Sequence, residues 1–189
     1  ITMLVNNAGI GAPAPTWQAD VDLMERLIAI NVTALTRLTY AIAPGFVARG
    51  GGTIINIASV VAVAPELPFN SVYNASKAFV LSLSQSLHYE LADLGVTVQA
   101  VLPGATATDF WDGTDVPRAS VPAHIMMAAD QMVDAALAGL DLGELVTIPS
   151  LPDSDDWAAF EGARAMLLPN LSRVSPAERY TSVPVGSRG

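Results

Sequence analysis

The sequence predicts an α/β fold in which a parallel sheet is covered by helices. Short apolar runs rich in β-branched residues alternate with longer segments whose apolar residues recur at helical spacing. The resulting order of strand, helix, strand, helix, strand, helix and strand implies right-handed crossovers between parallel strands. Hydrophobic residues make up 51% of the 189 residues and charged residues 14%. A sheet buried on both faces, or a broad subunit interface, accounts for such an apolar chain.

The amino-terminal elements are a short strand and a long helix. The strand covers residues 2–5. From about Asp20, apolar residues recur at helical spacing, namely Val21, Met24, Leu27, Ile28, Ile30, Leu35, Leu38 and Ile42. Pro44 should kink or weaken the end of this helix because proline lacks an amide hydrogen. The three glycines at 50–52 should stop it.

The remaining elements continue the alternation. Further strands are predicted at 53–57, 96–102 and 145–148. The most regular helix begins at Ser71 and ends near Leu94, before Gly95, with an apolar face made of Ala78, Leu81, Leu83, Leu87 and Leu91. A polar loop then extends to about residue 119, and residues 126–140 form the last helix before the final strand.

The character of the chain changes after Pro149. We expect residues 1–150 to form the main domain and residues 151–189 a carboxyl-terminal extension of the same domain. Acidic residues at 153–156 suit the start of an amphipathic helix, which Pro169 should end. The rest of the extension is expected to be irregular. It is compatible with a substrate lid or a subunit contact.

Composition excludes several classes of function. The net charge of −9 and the pI near 4.4 argue against nucleic acid and against anionic membrane surfaces. The chain has no cysteine, and its two histidines form no pair with metal-ligand spacing, so no metal site is expected. No apolar run reaches the roughly 18 residues of a membrane span, and no signal peptide opens the chain. We therefore expect a cytoplasmic protein.

The candidate chemistry centres on Tyr73 and Lys77, which lie four residues apart and therefore on one face of a helix. A phenol has a pKa of about 10, and proton transfer near pH 7 requires a drop of roughly 3 units, or about 4 kcal/mol. One cation at about 4 Å supplies on the order of 4 kcal/mol at an effective dielectric of 20. We therefore expect Lys77 to lower the pKa of Tyr73. A lysine on a solvated helix is the alternative interpretation.

Three further features precede this pair in order. They are the segment Asn6-Asn7-Ala8-Gly9, Asn31 within the long helix, and Ser59 after the second strand. Asparagine is unfavourable inside a helix, which hints at a function for Asn31 or at a simple bend or interhelical hydrogen bond. Ser59 alternatively caps a loop. Aromatic residues that could line a substrate pocket or pack in a core or interface are Trp17, Phe110 and Trp111.

With these motifs the chain resembles the short-chain dehydrogenase/reductases, which have a Rossmann-like, doubly wound parallel sheet. The matching stretch runs from Ile1 to about Thr108, and the order of elements continues the likeness to Ile148. The resemblance implies that the strands present here are the fourth to the seventh of that family and lie side by side. Residues 1–150 would then form a partial dinucleotide-binding and catalytic domain.

The resemblance also implies residue roles. The catalytic residues would be Asn31, Ser59, Tyr73 and Lys77. Ser59 would hold the substrate oxygen near Tyr73, Lys77 would also bind the nicotinamide ribose, and Asn31 would hold a water near Lys77. Cofactor-binding residues would be Asn7, Ala8, Gly9, Tyr73, Lys77, Pro103, Gly104, Thr106 and Thr108.

The chain departs from the family at its start. The family begins with a strand, a glycine-rich turn that cradles the pyrophosphate, and a helix. No such turn is found here, and Gly9-Ile10-Gly11 is a poor substitute because prolines follow it. We therefore expect a carboxyl-terminal part of such an enzyme, with its first strand left as an apolar edge. The residue that selects NAD or NADP would lie in the missing part, so the cofactor is NAD or NADP.

The predicted function is NAD(P)-dependent interconversion of a small carbonyl compound and its alcohol by hydride transfer, with a Tyr/Lys proton relay. The missing phosphate loop favours an alternative, a non-catalytic interaction or regulatory module of the same fold. A sugar-nucleotide epimerase is a weaker interpretation, because the 39 residues of 151–189 leave little room for its substrate domain. The resemblance further implies a homodimer or homotetramer, in which helices at about 31–49 and 71–94 pair across a dimer axis.

Overall fold

A four-stranded parallel sheet forms the centre of the protein in the computed structural model, which describes residues 1–67, 71–114 and 116–181. The strand order is β1-β2-β3-β6. The strands are β1 (Met3–Asn6), β2 (Gly52–Ile57), β3 (Val96–Val101) and β6 (Val146–Thr147). Every pairing within this sheet is parallel. The predicted α/β class and the side-by-side order of the strands are confirmed.

The long amino-terminal helix consists of three consecutive segments. They are α1 (Val21–Ile28), a π-helical segment (Ala29–Ala34) and α2 (Leu35–Arg49). The Asp20 carboxylate accepts a hydrogen bond from the Asp22 amide and caps the helix start. Gly50 ends α2 in the left-handed conformation, with a φ of 68°. Pro44 lies inside α2, which continues through it to Arg49 and buries Phe46 in the core, and the expected kink or weakening at Pro44 stays a prediction.

Helices cover both faces of the sheet. The remaining helices of this part are α3 (Ser71–Leu91) and α4 (Ala129–Asp141). Side chains of neighbouring strand residues point to opposite faces. On one face, the core cluster consists of Phe46, Ile54, Leu87, Val96 and Val98. On the other face, the cluster consists of Ile55, Val101 and Ala136. Burial on both faces explains why the strands are continuous apolar runs rather than alternating ones.

β1 pairs only with β2 among the residues that the structure describes. Met3 is 43% exposed and Val5 is 49% exposed, whereas Leu4 packs against the core. The expected apolar edge strand is therefore present.

A chain of buried polar side chains ties the first two strands to their helices. The Asn6 Nδ2 atom donates to Asn56 Oδ1 at 2.8 Å and to Thr39 Oγ1 at 3.1 Å. The Asn56 Nδ2 atom in turn donates to Ser84 Oγ at 2.9 Å. Buried polar groups stabilise a fold only when their partners are kept. This chain therefore fixes the relative positions of β1, β2, α2 and α3.

The helical stretch Val21–Arg49 is also long and apolar enough, by length and composition, to cross a membrane. This finding corrects the expectation that no stretch of that kind exists, which considered only uninterrupted apolar runs. In the fold, the stretch contributes Leu27, Leu35 and Phe46 to the buried interior. Of its apolar 18-residue window, 22% is buried within the described structure.

The connection between β3 and α4 contains elements that periodicity did not predict. Two-residue strands β4 (Thr106–Ala107) and β5 (Met127–Ala128) pair in parallel as a separate small sheet. As a result α4 begins at Ala129 and not at residue 126. Short 3-10 turns occupy much of the loop between them, at Asp109–Gly113, Arg118–Ser120 and Ala123–Ile125.

The chain divides into two compact units, Ile1–Ser150 and Leu151–Gly189. The second unit contains α5 (Ser154–Ala165), a 3-10 turn (Leu168–Asn170) that includes Pro169, and α6 (Glu178–Thr181). The Asp153 carboxylate caps α5 by accepting a hydrogen bond from the Asp155 amide. The expected irregular tail contains the short helix α6, and its part beyond residue 181 lies outside the described residues.

We predict that Asn56→Ala lowers the free energy of unfolding by about 1–3 kcal/mol, because it removes a buried amide that bonds Asn6 and Ser84. Urea denaturation followed by circular dichroism measures the change. The matched control is Gln131→Ala, which removes an exposed amide and should change stability by less than about 0.5 kcal/mol. Equal effects of the two variants would contradict the structural role of the buried chain.

Candidate active site

A cavity of about 780 Å³ opens where β1, β2 and β3 end. Its walls include the segments that directly follow these strands, beginning at Asn7, Ala58 and Pro103. The carboxyl ends of parallel strands meet at one edge of a sheet, which is where open α/β folds bind ligands. The lining includes ten of the predicted site residues, Asn7, Ala8, Gly9, Ser59, Tyr73, Lys77, Pro103, Gly104, Thr106 and Thr108.

Tyr73 and Lys77 lie one turn apart on α3 and both line this cavity. The Lys77 side chain is nearly enclosed, with 5% of its surface exposed. Its Nζ atom donates to the carbonyl oxygen of Ile57 at 2.9 Å, at the end of β2. The same atom lies 5.7 Å from the centroid of the Tyr73 ring. The alternative of a solvated lysine is therefore wrong.

The pKa values of the pair differ from those expected. Burial raises the pKa of the Tyr73 hydroxyl, and its hydrogen bond with Ser59 opposes that rise. Burial lowers the pKa of the Lys77 amine to about 8. The expected lowering of the Tyr73 pKa is not found. Desolvation of the buried phenolate is the larger influence and sets the direction of the shift.

Ser59 follows β2 and has two structural partners besides Tyr73. Its Oγ atom accepts from the Val61 amide at 3.4 Å and donates to the Pro103 carbonyl oxygen at 3.3 Å. Ser59 thus caps the short turn Val60–Ala62, as the alternative interpretation held. These contacts hold the Ser59 oxygen atom at the cavity wall.

Asn31 lies in the π-helical segment, is 2% exposed and is absent from the cavity lining. Its Oδ1 atom accepts from the Ile10 amide, and its Nδ2 atom donates to the Ile10 carbonyl oxygen, both at 2.9 Å. Nδ2 also donates to Ser76 Oγ at 3.2 Å. Its side chain thus joins the loop after β1 to α3 next to Lys77. The expected water-holding role of Asn31 stays a prediction.

The segment after β1 provides space beside the lysine. A Cβ atom on Gly9 would lie 3.5 Å from Lys77 Nζ and 3.3 Å from Asn31 Oδ1. The contact with Asn31 would be tight and the contact with Lys77 ordinary, so a side chain at position 9 would narrow the space beside the amine. An exposed backbone, a buried amine and flanking hydroxyl groups of Thr106 and Thr108 fit the ribose and amide groups of a nicotinamide dinucleotide.

Part of the cavity wall is apolar. Phe110 and Trp111 line it, whereas Trp17 is 79% exposed and lies elsewhere. Sequence reasoning missed other apolar lining residues, namely Val60, Val61, Leu67, Val121, Ile125 and Met132. The only sequence feature that could have indicated Val60 and Val61 as lining residues was their position after β2. The other missed residues belong to loops and to α4. No cluster of metal-ligating side chains occurs among the described residues.

The sequence profile of the short chain dehydrogenase family matches residues 1–117. The chain belongs to the short-chain dehydrogenase family. Among solved structures, a short-chain dehydrogenase from Sphingobium yanoikuyae in complex with NADPH is 47% identical, with a TM-score of 0.90 over 95% of this chain and 69% of that chain. The bulky-bulky ketone specific alcohol dehydrogenase from Comamonas testosteroni is 43% identical, with a TM-score of 0.84 over 95% and 67% of the two chains.

Curated relatives of this short-chain dehydrogenase carry several activities. The very-long-chain 3-oxoacyl-CoA reductase of Rattus norvegicus is 39% identical over 146 residues, which are 75% of this chain and 45% of the relative. The sorbitol dehydrogenase of Cereibacter sphaeroides is 40% identical over 61% of this chain and 45% of the relative. The chain thus spans less than half the length of these curated relatives.

We predict that Lys77 of this short-chain dehydrogenase titrates near pH 8, because burial disfavours the ammonium form. Below pH 8 the folded protein carries the cost of a buried charge. This cost decreases as the pH rises from 8 to about 10.5. Above about pH 10.5 the amine is neutral in both the folded and the unfolded state. The free energy of unfolding should therefore rise by up to about 3 kcal/mol between pH 8 and 10.5.

Two measurements check this titration. Lys77 is the sole lysine of the chain, so ¹³C-lysine labelling gives one Cε signal whose chemical shift reports the pKa directly. The Lys77→Met variant is the control, since it should lack the rise in stability over the same pH range. A Cε titration midpoint at or above pH 10 would contradict the prediction.

Proposed function

We propose that the protein to which this chain belongs is an NAD(P)-dependent oxidoreductase that interconverts a carbonyl compound and its alcohol. The observation that supports this most strongly is the meeting of Ser59, Tyr73 and Lys77 at one cavity with the predicted cofactor-binding residues. Membership of the short-chain dehydrogenase family and the NADPH complex of the Sphingobium yanoikuyae relative agree with it.

The chain's own residues would hold the nicotinamide end of the cofactor. Lys77 Nζ and the backbone of Asn7-Ala8-Gly9 border one side of the cavity, and Pro103-Gly104 with Thr106 borders another. A bound nicotinamide dinucleotide supplies the hydride and, when oxidised, a positive charge. Solved relatives include both an NADPH complex and an NADH complex, so the proposal covers NAD and NADP.

Ser59 and Tyr73 would handle the substrate oxygen. The two side chains are hydrogen-bonded to each other, so an oxygen atom that accepts from Ser59 lies within reach of the Tyr73 hydroxyl. Because the pKa of Tyr73 is raised, the hydroxyl is protonated at neutral pH and can donate a proton to a developing alkoxide. This protonation state favours carbonyl reduction near pH 7.

Lys77 would stabilise the phenolate that remains after proton donation. With a pKa of about 8, the amine is mostly protonated at pH 7 and can lose a proton at slightly higher pH. A charged amine next to the ring compensates part of the cost of a buried phenolate. The pair can therefore pass a proton between substrate and solvent without leaving an isolated buried charge.

Subunit assembly and location stay predictions. Helices α2 and α3 expose large apolar side chains, among them Leu38, Tyr40 and Phe79. Such faces suit the predicted homodimer or homotetramer, and measurement of the mass in solution tests it. Cytoplasmic location likewise stays a prediction.

We predict that Tyr73→Phe in the full-length protein lowers kcat for ketone reduction by about 10²–10⁴-fold, the range for loss of a general acid. Oxidation of NADPH and NADH followed at 340 nm measures the rate. The fold should be retained, because the ring keeps its packing against Phe110.

The matched control is Tyr89→Phe, which removes a hydroxyl group from the same helix at an exposed position outside the cavity. Its kcat should equal that of the unmodified protein. If Tyr73→Phe is as active as the control, the proposed proton donor is wrong. If the unmodified protein binds the dinucleotide but turns over no carbonyl compound, the non-catalytic interpretation is supported instead.

A further inference from the structure

The contact between Gly11 and Phe110 closes one wall of the cavity. Gly11 is buried and belongs to the loop after β1, and Phe110 belongs to the 3-10 turn Asp109–Gly113. A Cβ atom on Gly11 would lie 2.7 Å from Phe110 Cζ and 3.4–3.5 Å from both Cε atoms. The tip of the ring therefore points directly at the Gly11 backbone. Real Cβ atoms are essentially never found at 2.7 Å from a ring carbon.

Glycine at position 11 is required by space and not by backbone conformation. The glycines of this chain with positive φ are Gly50, Gly95 and Gly143 among the described residues, so Gly11 adopts a backbone that alanine also adopts. Its lack of a side chain is therefore explained by the ring that occupies the space. The identity of residue 11 and the position of the Phe110 ring are physically coupled.

Phe110 has little freedom to move sideways. Its ring centroid is 6.0 Å from the Tyr73 ring and 5.7 Å from the Trp111 ring. Trp111 is itself held, because its Nε1 atom donates to the Thr106 carbonyl oxygen at 2.8 Å. The Thr108 hydroxyl also accepts from the Phe110 amide at 3.4 Å. Because Phe110 lines the cavity, displacement of its ring by a side chain at position 11 changes the shape of the cavity.

The charges around the cavity favour a neutral substrate. Among the described lining residues, Lys77 is the only cationic side chain and Asp109 the only anionic one. The Lys77 amine is bonded to Ile57 at the dinucleotide side. A carboxylate or phosphate in the apolar half would meet Asp109 and no arginine, and an unpaired buried charge is costly.

We propose that Gly11 and Phe110 act as a coupled pair that sets the size of the substituent admitted next to Tyr73, in a site for neutral ketones with bulky apolar substituents. This inference rests on the proposed function. Phe110 lies between the acid–base residue and the apolar wall, so a substituent on the carbonyl carbon must pack against its ring. Gly11 determines how far that ring reaches into the cavity.

Steady-state kinetics of the full-length protein with NADPH and NADH test the size limit. The probes are acetophenone, with one phenyl group, and benzophenone, with two. Phe110→Ala should raise the ratio of kcat/KM for benzophenone to that for acetophenone by about tenfold or more, a typical effect of changed pocket volume. Gly11→Ala should lower the same ratio by about tenfold, because the ring is pushed into the cavity.

A double variant and a matched control isolate the coupling. Gly11→Ala combined with Phe110→Ala should behave like Phe110→Ala alone, since the added methyl group then has nothing to displace. Gly113→Ala is the control, because a Cβ atom there meets no atom within 4 Å and the residue lies outside the cavity. It should leave the ratio unchanged.

The preference of the site for neutral substrates is tested with 4-acetylbenzoate and its methyl ester, which differ mainly in the anionic group. The neutral ester should have at least about a tenfold higher kcat/KM. The inference would be overturned if the benzophenone to acetophenone ratio changed less than twofold in Gly11→Ala and Phe110→Ala, or if the acid and the ester were used equally well. In either case, turnover of ketones by the unmodified protein would leave the proposed function standing. Absence of turnover of every ketone by the unmodified protein would overturn both.

Discussion

The withdrawal of one amine from water is the constraint on which the site depends. Lys77 sits at the end of β2 with its Nζ atom on the Ile57 carbonyl oxygen, and the low exposure lowers its pKa to about 8. That position exists because α3 packs along β2 and β3 and because Gly9 has no side chain to fill the space. An amine with a pKa near neutrality can carry a charge or release it at small cost. The fold thus accepts a desolvation penalty at the position where the proposed proton transfer would take place.

Hydrogen bonds from buried amides hold the elements around that amine. Asn31 joins the loop after β1 to α3 through Ile10 and Ser76. Deeper in the core, Asn6 and Asn56 link β1 and β2. A π-helical turn at the position of Asn31 departs from regular helical hydrogen bonding, as such turns often do at functional sites. Positioning of Tyr73 and Lys77 therefore depends on polar groups outside the cavity lining as well as on the hydrophobic core.

Periodicity predicted the strands and their parallel arrangement, whereas the strand order and most of the ten predicted residues of the cavity lining followed from the family resemblance. Sequence reasoning failed where three-dimensional contacts decide the outcome. β4 and β5 have two residues each, which is too short for any period to be visible. The pKa of Tyr73 was expected to fall because only the charge of Lys77 could be anticipated, whereas burial depends on the folded surroundings. The sequence left open whether Phe110 lines a pocket or packs in a core or interface, because its contact partner, Gly11, lies 99 residues earlier in the chain.

Lysine usage within these 189 residues has a practical consequence. Reagents that attach proteins to surfaces or dyes through amines usually find many exposed lysines. Here the one lysine is enclosed at the cofactor side of the cavity. Amine coupling through a side chain of this stretch must therefore either fail or occupy this cavity. Immobilisation through these 189 residues is better directed at their abundant carboxylates, whose activation leaves the cavity amine untouched when the coupling partner supplies the nucleophile.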